Sequence, residues 1–271
     1  MWRASRRFIT IAVACAAACG AFSSTAAQPA EAGCKPVYLT FDTGHMGVAP
    51  LIADVLKRQN VKVTFFAANE RTKEGDGSLG EHWAPWWKAR AAEGHEFASH
   101  TWGHDYWQRD LPGQPPKFQI KPSAGEDAGR RLQWSTAQYC ESITRAAARL
   151  TSITGKKTLP LFRAPGGKTS PALLAAAESC GYKYVGWSPA GFLGDELPSG
   201  AYPNAALLKK ALADIRPGDI LLAHLGIWSR QDPWAPAVLE PLIVGLKQKG
   251  FCFATLREHP DFKAWITAHG G

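Results

Sequence analysis

The chain has 271 residues, of which 45% are hydrophobic and 20% charged, and 31 Lys and Arg against 23 Asp and Glu give a formal charge of +8. A length of this order suits one large domain, since α/β barrels of about 250 residues fold as a single unit. The basic residues are scattered, and no basic stretch is interleaved with aromatic residues, so the composition argues against a nucleic-acid-binding protein.

The first 27 residues are typical of a secretory signal peptide. Three arginines among the first seven residues precede an apolar run at residues 8–22 and a stretch of small residues, and we expect cleavage after Ala27. Lipoprotein processing at Cys19 is the less favoured alternative. Cleavage would lower the formal charge from +8 to +5, because the segment carries three arginines and no acids.

The remaining chain contains no stretch that reaches the roughly 20 apolar residues needed to cross a bilayer. The sequence therefore predicts an exported protein, periplasmic or secreted, without an integral membrane segment in its mature part. Residues 28–271 are expected to form one catalytic domain.

Short apolar runs alternate with helical patterns along the mature chain. We predict strands at residues 36–41, 62–67, 95–99, 161–163, 182–187, 219–223 and 251–255, and helices at residues 50–59, 83–93, 135–154, 171–180, 205–215 and 235–249. Glycine stands between a helix and the next strand at Gly94, Gly181, Gly218 and Gly250, as is common at helix ends. The alternation predicts an α/β fold, a TIM-barrel-like (β/α)7 barrel of parallel strands.

Polar residues with catalytic potential follow the predicted strands at their carboxyl ends. Asp42 comes after the first strand, His100 and His104 after the third, Arg163 at the end of the fourth and His224 after the sixth. Active sites of such barrels lie at this end of the strands. We therefore expect one site formed by these five residues.

Two connections at the same end are longer than a barrel requires. Residues 69–85 are rich in Gly, Glu and Lys, and residues 105–132 are polar and rich in residues that break helices and strands, so we predict that both are irregular. They are candidates for substrate-facing loops. The alternative is that they are mobile surface segments, and for the tip of the second connection the two interpretations are equally well supported.

The segment "SHTWGHDYW" contains a candidate metal site. His100 and His104 are four residues apart directly after a predicted buried strand, a spacing that can place both imidazoles on one metal ion. Catalytic zinc sites usually take a third protein ligand and leave one position for water. Asp42, His45 and Asp105 are the candidates for that ligand.

Four cysteines remain after residue 27: Cys34, Cys140, Cys180 and Cys252. In an exported protein an even number indicates disulfides, and four cysteines allow three pairings. Four buried free thiols are the alternative.

Five motifs together resemble those of polysaccharide deacetylases, carbohydrate esterase family 4. They occur in the order "LTFDTG", "GHEFASHTWGH", "LFRAPGG", "YKYVGWS" and "ILLAHLG" and span most of the mature chain. The resemblance implies a distorted barrel of about seven strand and helix units. It also implies a metal-dependent hydrolase that removes N-acetyl or O-acetyl groups from a carbohydrate, such as a cell-wall or extracellular polysaccharide containing N-acetylglucosamine.

The resemblance also implies a role for individual residues. Asp42 matches the general base, Arg163 the arginine that holds this base, and His224 the general acid. His100 and His104 match two ligands of a divalent metal, which would be Zn²⁺. The backbone at Gly166 matches the turn that stabilises the oxyanion.

Two positions depart from the family pattern. Thr43 stands where the family has a second Asp that binds the metal. We favour His45 as the replacement ligand; the alternatives are direct ligation by Asp42, and a metal that is weakly bound or absent. The fourth motif lacks the Asp that usually pairs with the acid, since Ala190 occupies its position, and Asp195 or Glu196 could replace it.

Several tryptophans support a carbohydrate partner, because indole rings stack on the apolar faces of sugars. Trp102, Trp107 and Trp228 lie near the predicted catalytic residues in sequence, and Trp187 belongs to the fourth motif. A catalytically weak or inactive deacetylase-like carbohydrate-binding protein is the alternative function. Acetylated xylan is an alternative substrate, and the sequence leaves the oligomeric state open.

Overall fold

The computed structural model describes residues 1–2 and 33–271, so the predicted signal peptide lies outside the described residues except for its first two positions. The elements are β1 Lys35–Asp42, α1 Ala49–Arg58, β2 Thr64–Ala67, α2 Ala84–Ala92, β3 Glu96–Ser99, β4 Asp105–Leu111, β5 Lys117–Pro122, β6 Leu132–Ser135, α3 Thr136–Thr154, β7 Leu161–Phe162, α4 Pro171–Ser179, β8 Lys183–Tyr184, α5 Asn204–Asp214, β9 Ile220–His224, α6 Leu239–Gln248, β10 Phe251–Phe253 and α7 Pro260–Ala268. Within these residues, no helix combines the length and apolarity that a membrane span requires.

Seven parallel strands form one curled sheet. Its order is β10, β1, β2, β3, β7 and β8, and β9 also pairs with β1. Each predicted strand is represented in this sheet, which confirms the predicted barrel-like α/β fold. The distortion lies after β8, where an irregular segment takes the place of a longer strand: Gly191 O accepts from Leu222 N at 2.8 Å, and Leu193 N donates to Leu222 O at 3.2 Å.

Helix α3 illustrates how local sequence sets the element boundaries. Ser135 forms a capping box with Gln138, and the helix ends at Gly155, whose φ of 68° favours a residue without a Cβ atom. Buried residues of α3 lie on the side that packs towards the strands, among them Ile143, Ala146, Ala147 and Leu150. The predicted helix at residues 135–154 therefore agrees with α3 within one residue.

The prediction that residues 105–132 form an irregular connection is wrong. Strands β4, β5 and β6 form a separate three-stranded antiparallel sheet. Phe118 and Ile120 of β5 are fully buried and pack in a cluster with Tyr139 and Phe162. The sheet forms because β5 alternates apolar and polar residues at a period of two, a short signal that the surrounding glycines and prolines obscured. Residues 69–83 are irregular, as predicted.

The four cysteines form two disulfides, so the alternative of free thiols is wrong. Cys34 pairs with Cys252, and Cys140 pairs with Cys180, with Cα separations of 5.7 and 6.1 Å. The first bond links the residue before β1 to β10, and the second links α3 to the end of α4. The first bond lies at the amino end of β1, opposite the strand ends that carry the candidate catalytic residues.

Candidate active site

The predicted catalytic residues meet at the carboxyl ends of the strands. Asp42 and His224 occupy paired positions at the ends of the neighbouring strands β1 and β9. His100 directly follows β3, and Arg163 directly follows β7. All four residues are at least mostly buried.

Asp42 is held by Arg163. The guanidinium Nη1 donates to Asp42 Oδ1 at 2.6 Å, and the remaining donors contact the carbonyl oxygens of Val185 and Gly186 at 3.2 and 3.1 Å. Burial by itself would raise the pKa of Asp42, but the charge of Arg163 holds this pKa below its usual range. Asp42 is therefore an anion at neutral pH, as a general base must be.

The two histidines of the predicted metal site lie together, with ring centroids 4.8 Å apart. His100 Nδ1 donates to the carbonyl oxygen of Arg163 at 2.9 Å, which leaves a lone pair on Nε2. Ser123 Oγ donates to the carbonyl of His104, so it can accept from His104 Nδ1, 2.7 Å away. Burial lowers the pKa of His100 to about 4, so this ring is neutral at pH 7. Anchored Nδ1 atoms and free Nε2 atoms are the usual state of metal-binding histidines.

The donor set partly fits a divalent metal. Asp42 Oδ2 faces His100 Nε2 at 3.5 Å, and both atoms are acceptors that repel each other unless a proton or cation lies between them. Within residues 33–271, however, no three His, Cys, Asp or Glu side chains form a group that could hold a metal ion. The two histidines therefore suit a divalent metal as a pair of nitrogen ligands. The described residues do not supply a third protein ligand beside them.

Thr43 does not present a free hydroxyl in place of the missing carboxylate. It is 1% exposed, and its Oγ1 accepts a hydrogen bond from Ala68 N at 3.0 Å. The residue thus connects the end of β1 to the loop after β2. A neutral hydroxyl in this position is a poor ligand for zinc, which prefers nitrogen, thiolate and carboxylate donors.

His45 lies on the side of the site that contains His224. Gly47 N donates to its Nδ1 at 2.9 Å, and its ring packs on Trp228 with a centroid separation of 4.7 Å. Both residues line a cleft of about 290 Å³ together with His224 and Asp195. A ligand role for His45 stays a prediction. Ligation through Nε2 would require the tautomer that protonates Nδ1, and that proton would conflict with the Gly47 N–H.

His224 pairs with Asp195, one of the two residues considered for this role. Asp195 accepts from the backbone N of His224 at 2.6 Å and contacts its Nδ1 at 3.0 Å. Burial alone would lower the pKa of His224, but the negative charge of Asp195, with smaller contributions from Asp42 and Glu196, raises the pKa to about 9. His224 is therefore protonated at neutral pH and can act as an acid.

The turn at Pro165–Gly167 lies beside a tyrosine that the sequence did not single out. Pro165 has no N–H, and Gly167 N donates to Ala164 O, which leaves Gly166 N as the available donor of the turn. Gly166 has a φ of 64°, and a Cβ atom there would lie 3.0 Å from the ring of Tyr106. The ring of Tyr106 also packs on His104 at 4.8 Å.

The predicted sugar-binding tryptophans occupy separate surroundings. Trp187 packs against Gly167, where a Cβ atom would lie 2.7 Å from the indole. Trp102 stacks with the guanidinium of Arg145 at 4.0 Å. Trp107 donates from its indole N–H to Asp110 at 3.0 Å and packs against the cluster beneath β5. Trp228 is 59% exposed and is the most accessible of the four.

Sequence patterns did not identify three further residues that lie near the site. Tyr106 packs on His104, Ser123 anchors the same ring, and the charge of Glu70 acts to raise the pKa of His100 against the effect of burial. Tyr106 lies two residues after His104, so the motif itself pointed to it. Ser123 and Glu70 come from the inserted sheet and from the loop after β2, and no local pattern in the sequence marked them.

Comparison with known proteins gives the family. The sequence model of the polysaccharide deacetylase family matches residues 30–185, more than half of the chain. The chain belongs to the polysaccharide deacetylase family. This deacetylase domain is 26% identical over 230 residues to the chitooligosaccharide deacetylase of Azorhizobium caulinodans, a match that covers 81% of this chain and 92% of that protein. It is also 26% identical over 226 residues to the peptidoglycan-N-acetylmuramic acid deacetylase of Bacillus subtilis, with 82% of this chain and 70% of that protein covered.

A solved structure agrees with the fold of this family member. The family 4 acetyl xylan esterase of Clostridium thermocellum, in complex with a cobalt ion, superposes with a TM-score of 0.63 at 24% identity, covering 85% of this chain and 92% of that one. Together the matches make the chain a deacetylase of the polysaccharide and peptidoglycan type, a hydrolase that acts on amide bonds.

Proposed function

We propose that this deacetylase is a metal-dependent enzyme that removes N-acetyl groups from a polysaccharide containing N-acetylglucosamine. The observation that carries the proposal is the pair of opposed charges on β1 and β9. Asp42 is kept anionic by Arg163, and His224 is kept cationic by Asp195. A base and an acid with pKa values displaced in opposite directions are what amide hydrolysis at neutral pH requires.

The proton transfers follow from these two pairs. Asp42 accepts a proton from water as the water oxygen bonds to the acetyl carbonyl carbon. The N–H of Gly166 is available to donate to the carbonyl oxygen as it becomes negative. When the carbon–nitrogen bond breaks, His224 gives its proton to the departing nitrogen. The products are acetate and the free amine of the sugar.

A divalent metal, which we expect to be Zn²⁺, would be held by the Nε2 atoms of His100 and His104. When bound, such an ion polarises the carbonyl and lowers the pKa of the attacking water. Arg163 orders both halves of this arrangement, because its side chain holds Asp42 and its carbonyl oxygen orients His100.

Export to the periplasm or the cell exterior is part of the same proposal. The two disulfides support it, because such bonds persist in oxidising compartments and are rare in the cytosol. Cell-wall polysaccharides lie in the same compartments. The two relatives described above carry names that specify chitooligosaccharide and peptidoglycan substrates, which also supports an N-acetylated sugar polymer.

The test is release of free amine from N-acetylglucosamine oligomers. The wild type should be active, and His224→Ala and Asp42→Asn should each lose about 100-fold or more in kcat, since general acid or base catalysis contributes this much. His269→Ala is the matched control, because this exposed histidine packs on Trp265 outside the site. Equal rates for the wild type and His224→Ala would overturn the proposal.

One observation favours a second candidate function, a catalytically weak carbohydrate-binding relative. Among the described residues no group of three His, Cys, Asp or Glu side chains could hold a metal ion, and the hydroxyl of Thr43 is already engaged with Ala68. If this candidate is correct, the wild type should bind oligomers but release little or no amine at any zinc concentration. We favour the enzyme, because a binding protein has no need for both the Arg163–Asp42 and Asp195–His224 pairs.

A further inference from the structure

Arg230 is a buried arginine in the segment that follows His224, and the catalytic roles assigned above do not include it. Its side chain is 3% exposed. A buried charge is costly unless hydrogen bonds satisfy it. The ion-pair contact of Arg230 is a long one, because Nε lies 3.5 Å from Oδ1 of Asp232. The guanidinium is therefore stabilised mainly by neutral acceptors.

Two loops meet at Arg230. We call residues 225–234, which follow β9 and His224, the acid loop, and residues 194–203, which carry Asp195, the partner loop. The partner loop consists of turns, bends and irregular chain. The regular hydrogen bonds of a helix or sheet do not fix such a loop, so its conformation depends on contacts with the surrounding residues.

The guanidinium of Arg230 connects the two loops. Nη1 donates to Leu197 O at 2.8 Å, and Nη2 donates to Tyr202 O at 3.2 Å and to Asn204 Oδ1 at 2.6 Å, at the start of α5. Nε donates to Asp232 O at 3.2 Å within the acid loop. One side chain thus joins the acid loop to two points of the partner loop and to the helix that follows it.

Other side chains add longer hydrogen bonds between these segments. Ser229 Oγ donates to Glu196 O at 3.1 Å, and Asn204 Nδ2 donates to Pro233 O at 3.3 Å. Each of these is a single bond, whereas the planar fork of an arginine presents five N–H donors in fixed directions. Arg230 is therefore the principal polar connection between the two loops.

The position of Asp195 depends on this connection. Its carboxylate accepts from His224 N at 2.6 Å and contacts Nδ1 of the same residue at 3.0 Å, so a small displacement would break one of the two contacts. Leu193, two residues before Asp195, is buried in the core, and the backbone of Leu197, two residues after it, is held by Arg230. Loss of the arginine contact should therefore let Asp195 move.

We propose that Arg230 is a positioning residue, which holds the partner loop so that Asp195 stays against His224. The proposal rests on the proposed function, because that function makes His224 the acid. It adds to the site a residue that acts through Asp195 and lies outside the five motifs of the sequence.

The charges around His224 make the sign of the expected effect diagnostic. These charged residues are Asp195, Asp42, Glu196, Lys73, Arg230 and Asp232. Removing the positive charge of Arg230 would by itself raise the pKa of His224. Displacement of Asp195 would lower this pKa, because burial lowers it and the charge of Asp195 is the largest effect that opposes burial. A fall in the pKa after substitution of Arg230 therefore reports a change in position.

NMR titration of His224 in the mature protein tests the proposal. In Arg230→Ala the pKa of His224 should fall from about 9 to about 8 or below, and the alkaline limb of the kcat–pH profile should move with it. Arg230→Lys keeps the positive charge but not the planar fork, so it should produce a smaller fall. This second variant decides the question if Arg230→Ala does not fold.

Arg257→Ala is the matched control, because its guanidinium binds Glu96 at the amino end of β3. It should leave the pKa of His224 unchanged. A pKa of His224 that is unchanged or raised in the folded Arg230 variants would overturn the proposal.

The same substitution in the Asp195→Asn background separates positioning from a general loosening of the loops. There Arg230→Ala should cause no further fall in the pKa of His224, because substitutions that act through one contact are not additive. An equal fall in both backgrounds would contradict the role of Arg230. If the wild type releases no amine but Arg230→Ala lowers this pKa only when Asp195 is present, the proposed catalysis fails and the positioning role stands. If the wild type is active and this pKa does not fall, the positioning role fails and the proposed catalysis stands.

Discussion

At the scale of single residues, two buried ion pairs hold neighbouring groups in opposite charge states, one as an anion and one as a cation. Arg163 lowers the pKa of Asp42, and Asp195 raises the pKa of His224 to about 9. The two titrating groups sit at paired positions of β1 and β9. Because burial opposes both charged states, each state depends on its partner.

Replacing Asp195 by Asn should shift the alkaline limb of the kcat–pH profile to lower pH. Without the negative charge of Asp195, burial is the largest remaining effect on the pKa of His224. This pKa should fall from about 9 to near or below its ordinary value of 6.5, although the charges of Asp42 and Glu196 still act to raise it. NMR titration of His224 in both proteins would provide the direct measurement. Identical alkaline limbs and titration curves would contradict the assigned role of Asp195.

The same pair should make stability depend on pH with a defined sign. The folded-state pKa of His224 lies above 6.5, so its protonation stabilises the fold fully below about pH 6.5, and this contribution is lost as pH rises through about 9. In Asp195→Asn the free energy of unfolding should therefore fall less between about pH 6.5 and about pH 9 than it does in the wild type.

Thr43→Asp should increase zinc affinity at least tenfold. The substitution introduces a carboxylate near the histidine pair, and a cation would also relieve its repulsion with Asp42. Calorimetry with Zn²⁺, or the absorption spectrum of bound Co²⁺, measures this without reference to activity. Thr43→Ser keeps the hydroxyl that accepts from Ala68 and should leave the affinity within about twofold. Equal affinities for all three proteins would mean that another group already completes the site.

At the scale of elements, the parallel strands and their helices were predictable, and the antiparallel insertion was not. The boundaries of helix α3 are set by local residues, Ser135 at its N-cap and Gly155 at its C-cap. Strand β5 is only six residues long and is stabilised by contacts with α3 and β7 that are distant in sequence. Tertiary packing therefore outweighed the local glycines and prolines that predicted an irregular loop.

At the scale of the whole molecule, the disulfides link parts of the chain that are far apart in sequence. Cys34 and Cys252 are separated by 218 residues, so this bond constrains almost the entire described domain in the unfolded state. Cys140 and Cys180, separated by 40 residues, constrain the segment from α3 to α4. Both bonds should contribute to stability in an oxidising compartment.

Reduction of the protein should lower its melting temperature by roughly 10 °C or more, because each of the two native disulfides typically contributes about 2–5 kcal/mol and 1 kcal/mol corresponds to about 2–4 °C in a domain of this size. Thermal unfolding with and without a reducing agent measures the shift, and a variant with all four cysteines replaced by Ser is the control that should not respond. Free thiols in protein recovered from the periplasm would contradict both the pairing and the proposed export.

The sequence by itself determined the alternation of strands and helices, the order of the motifs and the residues at the strand ends. These properties are encoded by neighbouring residues through periodicity and capping. The tertiary structure alone decided that Asp195 rather than Glu196 pairs with His224, that His45 packs on Trp228, and that β5 is a strand. Each depends on contacts between distant segments, whose geometry local patterns do not encode.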